Sequence, residues 1–84
     1  MSINMEQKSV ELDIAATGNK IKMFMDKREI SAKDLSKVMN VSIQAVYRWQ
    51  KGETLPTISN MFILGQLFDV DVDDILVARE NTCL

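Results

Sequence analysis

Apolar residues recur every three or four positions along most of this 84-residue chain, which is the spacing of helices that bury one face. Residues that typically begin or end helices stand between these segments. The pattern predicts five helices joined by short turns, with no strand in the middle of the chain. We therefore expect an all-α fold in a single domain.

Capping residues predict the boundaries of the first two helices. Thr17 is the expected N-cap of the first helix, which should end near residues 28–29. Ser31 should begin the second helix, because Asp34 follows three residues later in a capping-box pattern. Asn40 should end that helix, because Asn tolerates the left-handed backbone of a tight turn.

The same signals predict the remaining three helices. Ser42 should cap a third helix that runs to about Gln50, with Gly52 as its stop. A fourth helix is expected from Thr57 to Asp69 and a fifth over residues 71–78. The expected core positions share one face of each helix, and they are Ile21, Phe24, Met25, Leu35, Val38, Met39, Ala45, Val46, Trp49, Ile58, Met61, Leu64 and Phe68.

Two sets of apolar residues allow more than one interpretation. Trp49 either packs in the core or stacks on a nucleic-acid base, and its place beside Val46 on the helical wheel favours the core. Phe62, Ile63 and Leu67 exceed what one core face of the fourth helix needs. They form either a dimer contact, together with the fifth helix and the tail, or a surface buried under the N-terminal arm.

The two ends of the chain lie outside the predicted helices. Val10, Leu12 and Ile14 alternate two apart, which is typical either of a short strand or of an arm that becomes ordered on a partner. We predict an N-terminal arm over residues 1–16, a helical domain over 17–78 and a C-terminal tail over 79–84.

Charge is distributed unevenly along the chain. The net charge is −2, but residues 18–52 carry eight basic and three acidic side chains, and residues 53–84 carry one basic and six acidic ones. A basic centre between acidic ends suggests one positive face, as in nucleic-acid-binding proteins. The alternative is that these Lys and Arg side chains only solvate helix surfaces.

Composition excludes several kinds of site. The chain has no His and one cysteine, Cys83, so His-based catalysis, zinc–histidine sites and an internal disulfide are ruled out. Cys83 is expected to be an exposed thiol without a role. No apolar run has the length of a membrane span, and the N-terminus lacks a signal-peptide pattern. We predict a cytoplasmic protein with no catalytic, metal or cofactor site.

The third predicted helix has an outward face that is unusual for a solvated surface. Gln44 and Arg48 have the side chains that pair with adenine and guanine in the major groove of DNA. Ile43 suits a thymine methyl group, and Tyr47 suits a phosphate, a sugar or a base edge. Lys51, near the end of the helix, suits a phosphate.

A spaced set of small, apolar and turn residues runs through the second and third predicted helices: Leu35, Ser36, Met39, Asn40, Val41, Ser42, Val46 and Trp49. This set resembles the helix-turn-helix of lambda-repressor-like, XRE-type DNA-binding domains. The segment "RWQKGETLP" is similar to that family's W-E-x-G-x-x-x-P ending, and "FDVDVDDIL" is similar to its closing segment. The resemblance covers roughly residues 17–77. The departures from the family pattern include Met25 for a basic residue, Gln50 for Glu, and Asp69 for Gly.

The resemblance implies a compact five-helix, lambda-repressor-like bundle whose third helix enters the major groove. It also implies a bacterial or phage transcription regulator, expected to be a repressor, that binds double-stranded DNA as a homodimer. The predicted DNA-binding set is Lys33, Ser42, Ile43, Gln44, Tyr47, Arg48 and Lys51, although Lys33 taken alone is more typical of a solvated charge. The alternative function is an antitoxin or accessory protein that holds a protein partner through its arm or its acidic C-terminal region.

Overall fold

Five helices and one two-stranded sheet make up residues 8–82, the part of the chain that the computed structural model describes. In chain order they are β1 (Lys8–Leu12), α1 (Ile14–Lys27), α2 (Ala32–Met39), α3 (Ile43–Lys51), α4 (Ile58–Phe68), α5 (Val72–Ile75) and β2 (Ala78–Thr82). The predicted five-helix domain is confirmed. Within residues 8–82, every helix falls short of the length and apolar character that a bilayer crossing demands. The first seven residues of the predicted arm, and Cys83, lie outside the described range.

The four longer helices end on one backbone motif. A residue just past each of these helices has a left-handed conformation, with φ between 55° and 74°. Glu29 lies two positions after the end of α1, and Asn40, Gly52 and Asp69 directly follow α2, α3 and α4. The N–H of the next residue then donates to the carbonyl five positions earlier, at 2.8–3.0 Å. This bond satisfies carbonyl groups that the helix leaves unpaired. The predicted helix stops at Asn40, Gly52 and Asp69 are therefore confirmed.

Three of the predicted helix starts are also confirmed. The side-chain oxygens of Ser31, Ser42 and Thr57 accept hydrogen bonds from the backbone N–H three residues later, at 3.0–3.2 Å. Each bond satisfies one free donor in the first turn of its helix. Asp71 begins α5 as expected, and its backbone N–H donates to the Asp74 carboxylate at 3.0 Å.

The prediction that Thr17 caps α1 is wrong. The cap is Asp13, four residues earlier, and the helix begins at Ile14, because the Asp13 carboxylate accepts from the N–H of Ala16 at 2.9 Å. Thr17 lies inside the helix and is fully buried. Its Oγ1 accepts from the backbone N–H of Val77 at 3.0 Å, across 60 positions of sequence. Thr17 resembles a local helix cap in the sequence, but in the structure it makes a tertiary hydrogen bond instead.

The same contact shortens α5, which ends at Ile75 instead of continuing to Ala78 as predicted. The Val77 carbonyl accepts from the N–H of Asp13 at 2.7 Å, so both backbone groups of Val77 bond to the start of α1. Leu76 is already extended, with φ −72° and ψ 132°. The last turn of a longer helix is replaced by the start of a strand.

The two ends of the described chain form an antiparallel pair of strands. The register places Lys8 opposite Thr82 and Leu12 opposite Ala78. The strand interpretation of the N-terminal segment is confirmed for residues 8–12. The predicted C-terminal tail is wrong for residues 79–82, which belong to β2.

The core lies among the helices and contains most of the predicted positions. The buried apolar side chains are Ile21, Phe24, Met25, Ala32, Leu35, Met39, Val46, Trp49, Met61, Leu64, Phe68 and Ile75. Two of the core predictions are wrong, because Val38 is 64% exposed and Ile58 is 78% exposed. Val38 lies about 95° around α2 from the centre of its buried stripe. Ile58 is the first residue of α4, and burial begins one turn later at Met61.

Candidate nucleic-acid interface

Helix α3 buries one side and exposes the other. Val46 is fully buried and Trp49 is 4% exposed, so the prediction that Trp49 belongs to the core is confirmed. The helix begins at the Ser42 cap and ends at Gly52, which together define its length. Because both anchors face inward, the opposite side of the helix is left for solvent or a ligand.

Four of the predicted site residues lie together on that exposed side. Tyr47, Arg48 and Lys51 follow Gln44 by three, four and seven positions, which is one face of a helix. All four are exposed, and together with Glu53 they line a shallow concave surface. From Gln44 to Lys51 the helix rises about 10 Å. That length corresponds to about three base pairs of a duplex.

The surface presents the donors and acceptors that major-groove recognition requires. The Gln44 amide offers both a donor and an acceptor, and the Arg48 guanidinium offers two parallel donors. Tyr47 is 46% exposed, so its ring packs on the protein while part of it stays accessible. Arg48 and Lys51 occupy the last turn of α3, where a positive charge also favours the helix dipole.

Three other predicted residues lie outside this concave surface. Ser42 is exposed and uses its oxygen to cap α3, accepting from Ala45 at 3.1 Å. Ile43 is half-buried and packs against the core, which leaves only part of its side chain available. Lys33 is exposed in the first turn of α2. DNA contact by these three residues, as by the four on the concave surface, remains a prediction.

Glu53 is a member of the surface that the sequence analysis missed. The left-handed backbone of Gly52 reverses the chain, and the N–H of Glu53 donates to the carbonyl of Arg48 at 2.9 Å. The carboxylate therefore borders the basic side chains. In the major groove of DNA, the Glu53 carboxylate would repel a phosphate or accept a hydrogen bond from a cytosine amino group. The signal was present in the sequence, because a helix that stops at Gly52 must turn the next residue back.

Helix α3 is held against α1 by a close backbone approach. A Cβ on Gly18 would lie 2.2 Å from the carbonyl oxygen of Trp49, so the two helices touch where Gly18 has no side chain. A Cβ on Gly52 would lie 2.7 Å from the Cα of Ala15. Both contacts fix the height and tilt of α3 relative to the rest of the core.

The two departures from the family pattern at Met25 and Gln50 contact each other. The Gln50 side-chain amide donates to the Met25 sulfur at 3.2 Å, and Met25 is 2% exposed. Methionine is polarizable and accepts such a bond weakly. A neutral α1–α3 contact therefore stands where the family pattern has a basic residue and a Glu, and Met25 is too deeply buried to reach a phosphate.

Comparisons with known proteins agree with this geometry. The profile of a family described as helix-turn-helix matches residues 21–75. An uncharacterized HTH-type transcriptional regulator of Methanocaldococcus jannaschii is 27% identical over 63 residues, which are 75% of this chain and 96% of the relative. The crystal structure of the restriction-modification controller protein C.AhdI from Aeromonas hydrophila superposes with a TM-score of 0.68 at 14% identity. It covers 75% of this chain and 96% of that one.

Proposed function

This chain belongs to the XRE-type helix-turn-helix family of DNA-binding transcriptional regulators, and from that premise we propose that α3 reads its operator in the major groove. Gln44 and Arg48 are assigned the base edges, with Tyr47 and Lys51 on the backbone or neighbouring bases. Ser42, Ile43 and Lys33 complete the proposed contact set. The family is one of regulators rather than enzymes.

One observation supports this proposal above the others. The exposed side of α3 carries an amide, a phenol and two cations in one stripe, while its other side is anchored by Val46 and Trp49. Solvated helix surfaces usually carry Glu and Lys, which are good helix formers and need no partner. The stripe also belongs to the segment of +5 net charge, eight basic against three acidic side chains over residues 18–52.

The test is fluorescence anisotropy on duplexes carrying the intergenic DNA beside the gene, with scrambled duplexes alongside, over a salt series. Gln44→Ala and Arg48→Ala should each lose about 1–3 kcal/mol of preference for the native duplex, because each removes a bidentate base contact. Lys51→Ala should weaken both duplexes equally and reduce the salt slope by about one.

Matched controls come from the same chain. Gln66→Ala removes another exposed amide, from the groove between α4 and α5. Arg28→Ala removes an exposed guanidinium at the end of α1, whose ion pair with Asp69 is 3.9 Å long. Both controls should leave the preference unchanged. Equal and weak binding of native and scrambled duplex by the wild type would refute the proposal.

The finer parts of the proposal concern regulation and assembly. We assign the chain the role of a cytoplasmic repressor that binds as a homodimer, because two-fold symmetry would place two α3 helices about 34 Å apart, one turn of duplex. Footprinting on the native promoter should protect two half-sites with this spacing. Transcription in vitro should fall as protein is added, and a rise would assign activation instead.

The exposed apolar side of α4 favours a second candidate function. Ile58 is 78% exposed and Phe62, four residues later on the same side, is 63% exposed. Such an apolar pair suits a protein partner, as an antitoxin or accessory protein requires. Under this alternative, the product of a neighbouring gene would bind the wild type and Gln44→Ala but not Phe62→Ser, and DNA binding would be weak and insensitive to sequence.

A further inference from the structure

The sheet formed by β1 and β2 has only two strands within the described residues 8–82. A two-stranded sheet is marginally stable in water, and a stable sheet normally needs a third strand or a covering element. Each strand also presents one edge whose N–H and C=O groups have no strand partner among those residues. Both strands lie outside residues 21–75, the segment shared with the helix-turn-helix family.

The register shows which backbone groups point outward. Asp13 and Val77 continue the ladder, and the N–H of Asp13 donates to the carbonyl of Val77 at 2.7 Å. In an antiparallel pair, hydrogen-bonded and non-hydrogen-bonded residue pairs alternate. Asp13 therefore belongs to a hydrogen-bonded pair, and so do residues 11 and 9, two and four positions before it. The backbone N–H and C=O groups of residues 11 and 9 point towards β2. The free edge of β1 therefore carries the N–H and C=O of Lys8, Val10 and Leu12, and the free edge of β2 carries those of Ala78, Glu80 and Thr82.

We propose that the free edge of β1 pairs antiparallel with β1 of a second copy of this chain, about a two-fold axis at Val10. The result is one four-stranded sheet in the order β2, β1, β1, β2. This proposal rests on the homodimer of the proposed function and adds the surface that forms it. The two Val10 residues exchange both of their backbone hydrogen bonds, and each Lys8 pairs with the Leu12 of the other copy.

Charge and symmetry favour β1 over the other edges. Full overlap of β1 with itself centres on Val10 and places no like charges opposite each other. Full overlap of β2 with itself centres on Glu80 and places an acidic residue opposite its own copy. Pairing of β1 with β2 of another copy is heterologous and leaves both outer edges free, so it continues into an open chain of molecules. Self-pairing of β1 closes at two copies.

Apolar surface beside the strand supports the same arrangement. Leu12 at the end of β1 is 37% exposed, and Ile14 at the start of α1 is 39% exposed. Leu12 is one of the three residues of the free edge, and Ile14 follows it by two positions in the chain. Burying them on association would contribute free energy that the backbone hydrogen bonds by themselves do not supply.

The test uses proline, which removes a backbone donor. The N–H of Val10 points away from β2, so Val10→Pro deletes a donor on the free edge without deleting a bond within the sheet. Glu80→Pro makes the same change on the free edge of β2 and is the matched control. Sedimentation equilibrium would report the dimerisation constant of each variant of the 84-residue chain, from protomers of 9.5 kDa.

We expect the wild type and Glu80→Pro to dimerise alike, and Val10→Pro to dimerise at least about 30-fold more weakly, because two symmetric bonds are lost. Circular dichroism and melting should show that Val10→Pro is folded. Several results would overturn the proposal: a monomeric wild type, loss of the dimer in both proline variants, loss only in Glu80→Pro, or loss only in Phe62→Ser. A wild type that dimerises but does not prefer its own duplex would instead refute the DNA function and leave this interface intact.

Discussion

Gly18→Ala should reverse the usual effect of this substitution in a helix. In an exposed helix interior, replacing Gly with Ala stabilises a protein by about 1 kcal/mol, because Ala loses less backbone entropy. Gly18 is buried in the first half of α1, against the end of α3. Because Gly18 has no Cβ, the backbones of α1 and α3 can come into contact at this position.

The structure sets the size of the effect. The added Cβ would lie 2.2 Å from the carbonyl oxygen of Trp49 and 2.9 Å from that of Gln50. Both neighbours are backbone atoms, so the clash is relieved only if α1 and α3 move apart by about 1 Å, which opens a tightly packed core. Overpacking of this kind costs about 1–3 kcal/mol, and a backbone clash belongs at the upper end. After the propensity gain, we expect a net loss of about 2 kcal/mol.

Thermal and urea denaturation followed by circular dichroism would measure this loss. A domain of this size has a free energy of unfolding of about 4–12 kcal/mol, so the variant should remain folded at room temperature. The melting temperature should fall by about 8–16 °C. Asn19→Ala is the matched control, because it changes the next residue of the same helix, which is exposed. It should raise the melting temperature slightly.

The result that refutes this reasoning is an unchanged or higher melting temperature for Gly18→Ala. It would mean that α3 is not held at backbone contact with α1, and that the spacing of the exposed stripe on α3 is set elsewhere. A loss of stability equal in both variants would also refute it, because the packing contact concerns only Gly18.

Four further changes test other contacts. Trp49→Ala should cost about 3–5 kcal/mol and lower the melting temperature steeply, enough to unfold a domain at the low end of the expected stability range, because the ring is 4% exposed; an unchanged melt with lost DNA binding would place the ring on the DNA instead. Glu29→Gly should stabilise the chain by about 1 kcal/mol in urea titration, because Glu29 has φ 58°; no gain would show that another contact supports this turn. Thr17→Val should cost about 1–3 kcal/mol and speed hydrogen exchange at the backbone N–H of Val77, which donates to the Thr17 Oγ1; unaltered exchange at Val77 would contradict that bond. Met25→Arg and Gln50→Glu should each destabilise, and the double variant should recover about 1–3 kcal/mol in a double-mutant cycle; strictly additive losses would show that the two positions do not interact.

The central helices could be predicted because their signals are local. A cap such as Ser31 acts on a backbone group three residues away, and a stop such as Asn40 acts within its own turn. The same locality made the exposed stripe from Gln44 to Lys51 predictable, since its four members share one helix. Glu53 joins that surface through a single turn after Gly52, and the rules for helix ends would have been enough to predict its position.

The errors fall where distant parts of the chain meet. Thr17 looks like a cap in sequence, and only its bond to Val77, 60 positions away, shows that it lies inside α1. Residues 79–82 carry little strand pattern of their own, and their partner is the other end of the chain. Val38 and Ile58 are apolar at helical spacing, yet exposure depends on which neighbouring element covers them.

By itself, the sequence determined the number of helices, most of their boundaries and the side of α3 that faces outward, because caps, stops and periodicity act over one or two turns. Tertiary structure decided the start of α1, the early end of α5, the strand pair and the backbone contact at Gly18. Those features depend on hydrogen bonds and close approaches between segments that are remote in the chain. Pattern and propensity describe what a segment prefers alone, and they do not contain the partner that completes it.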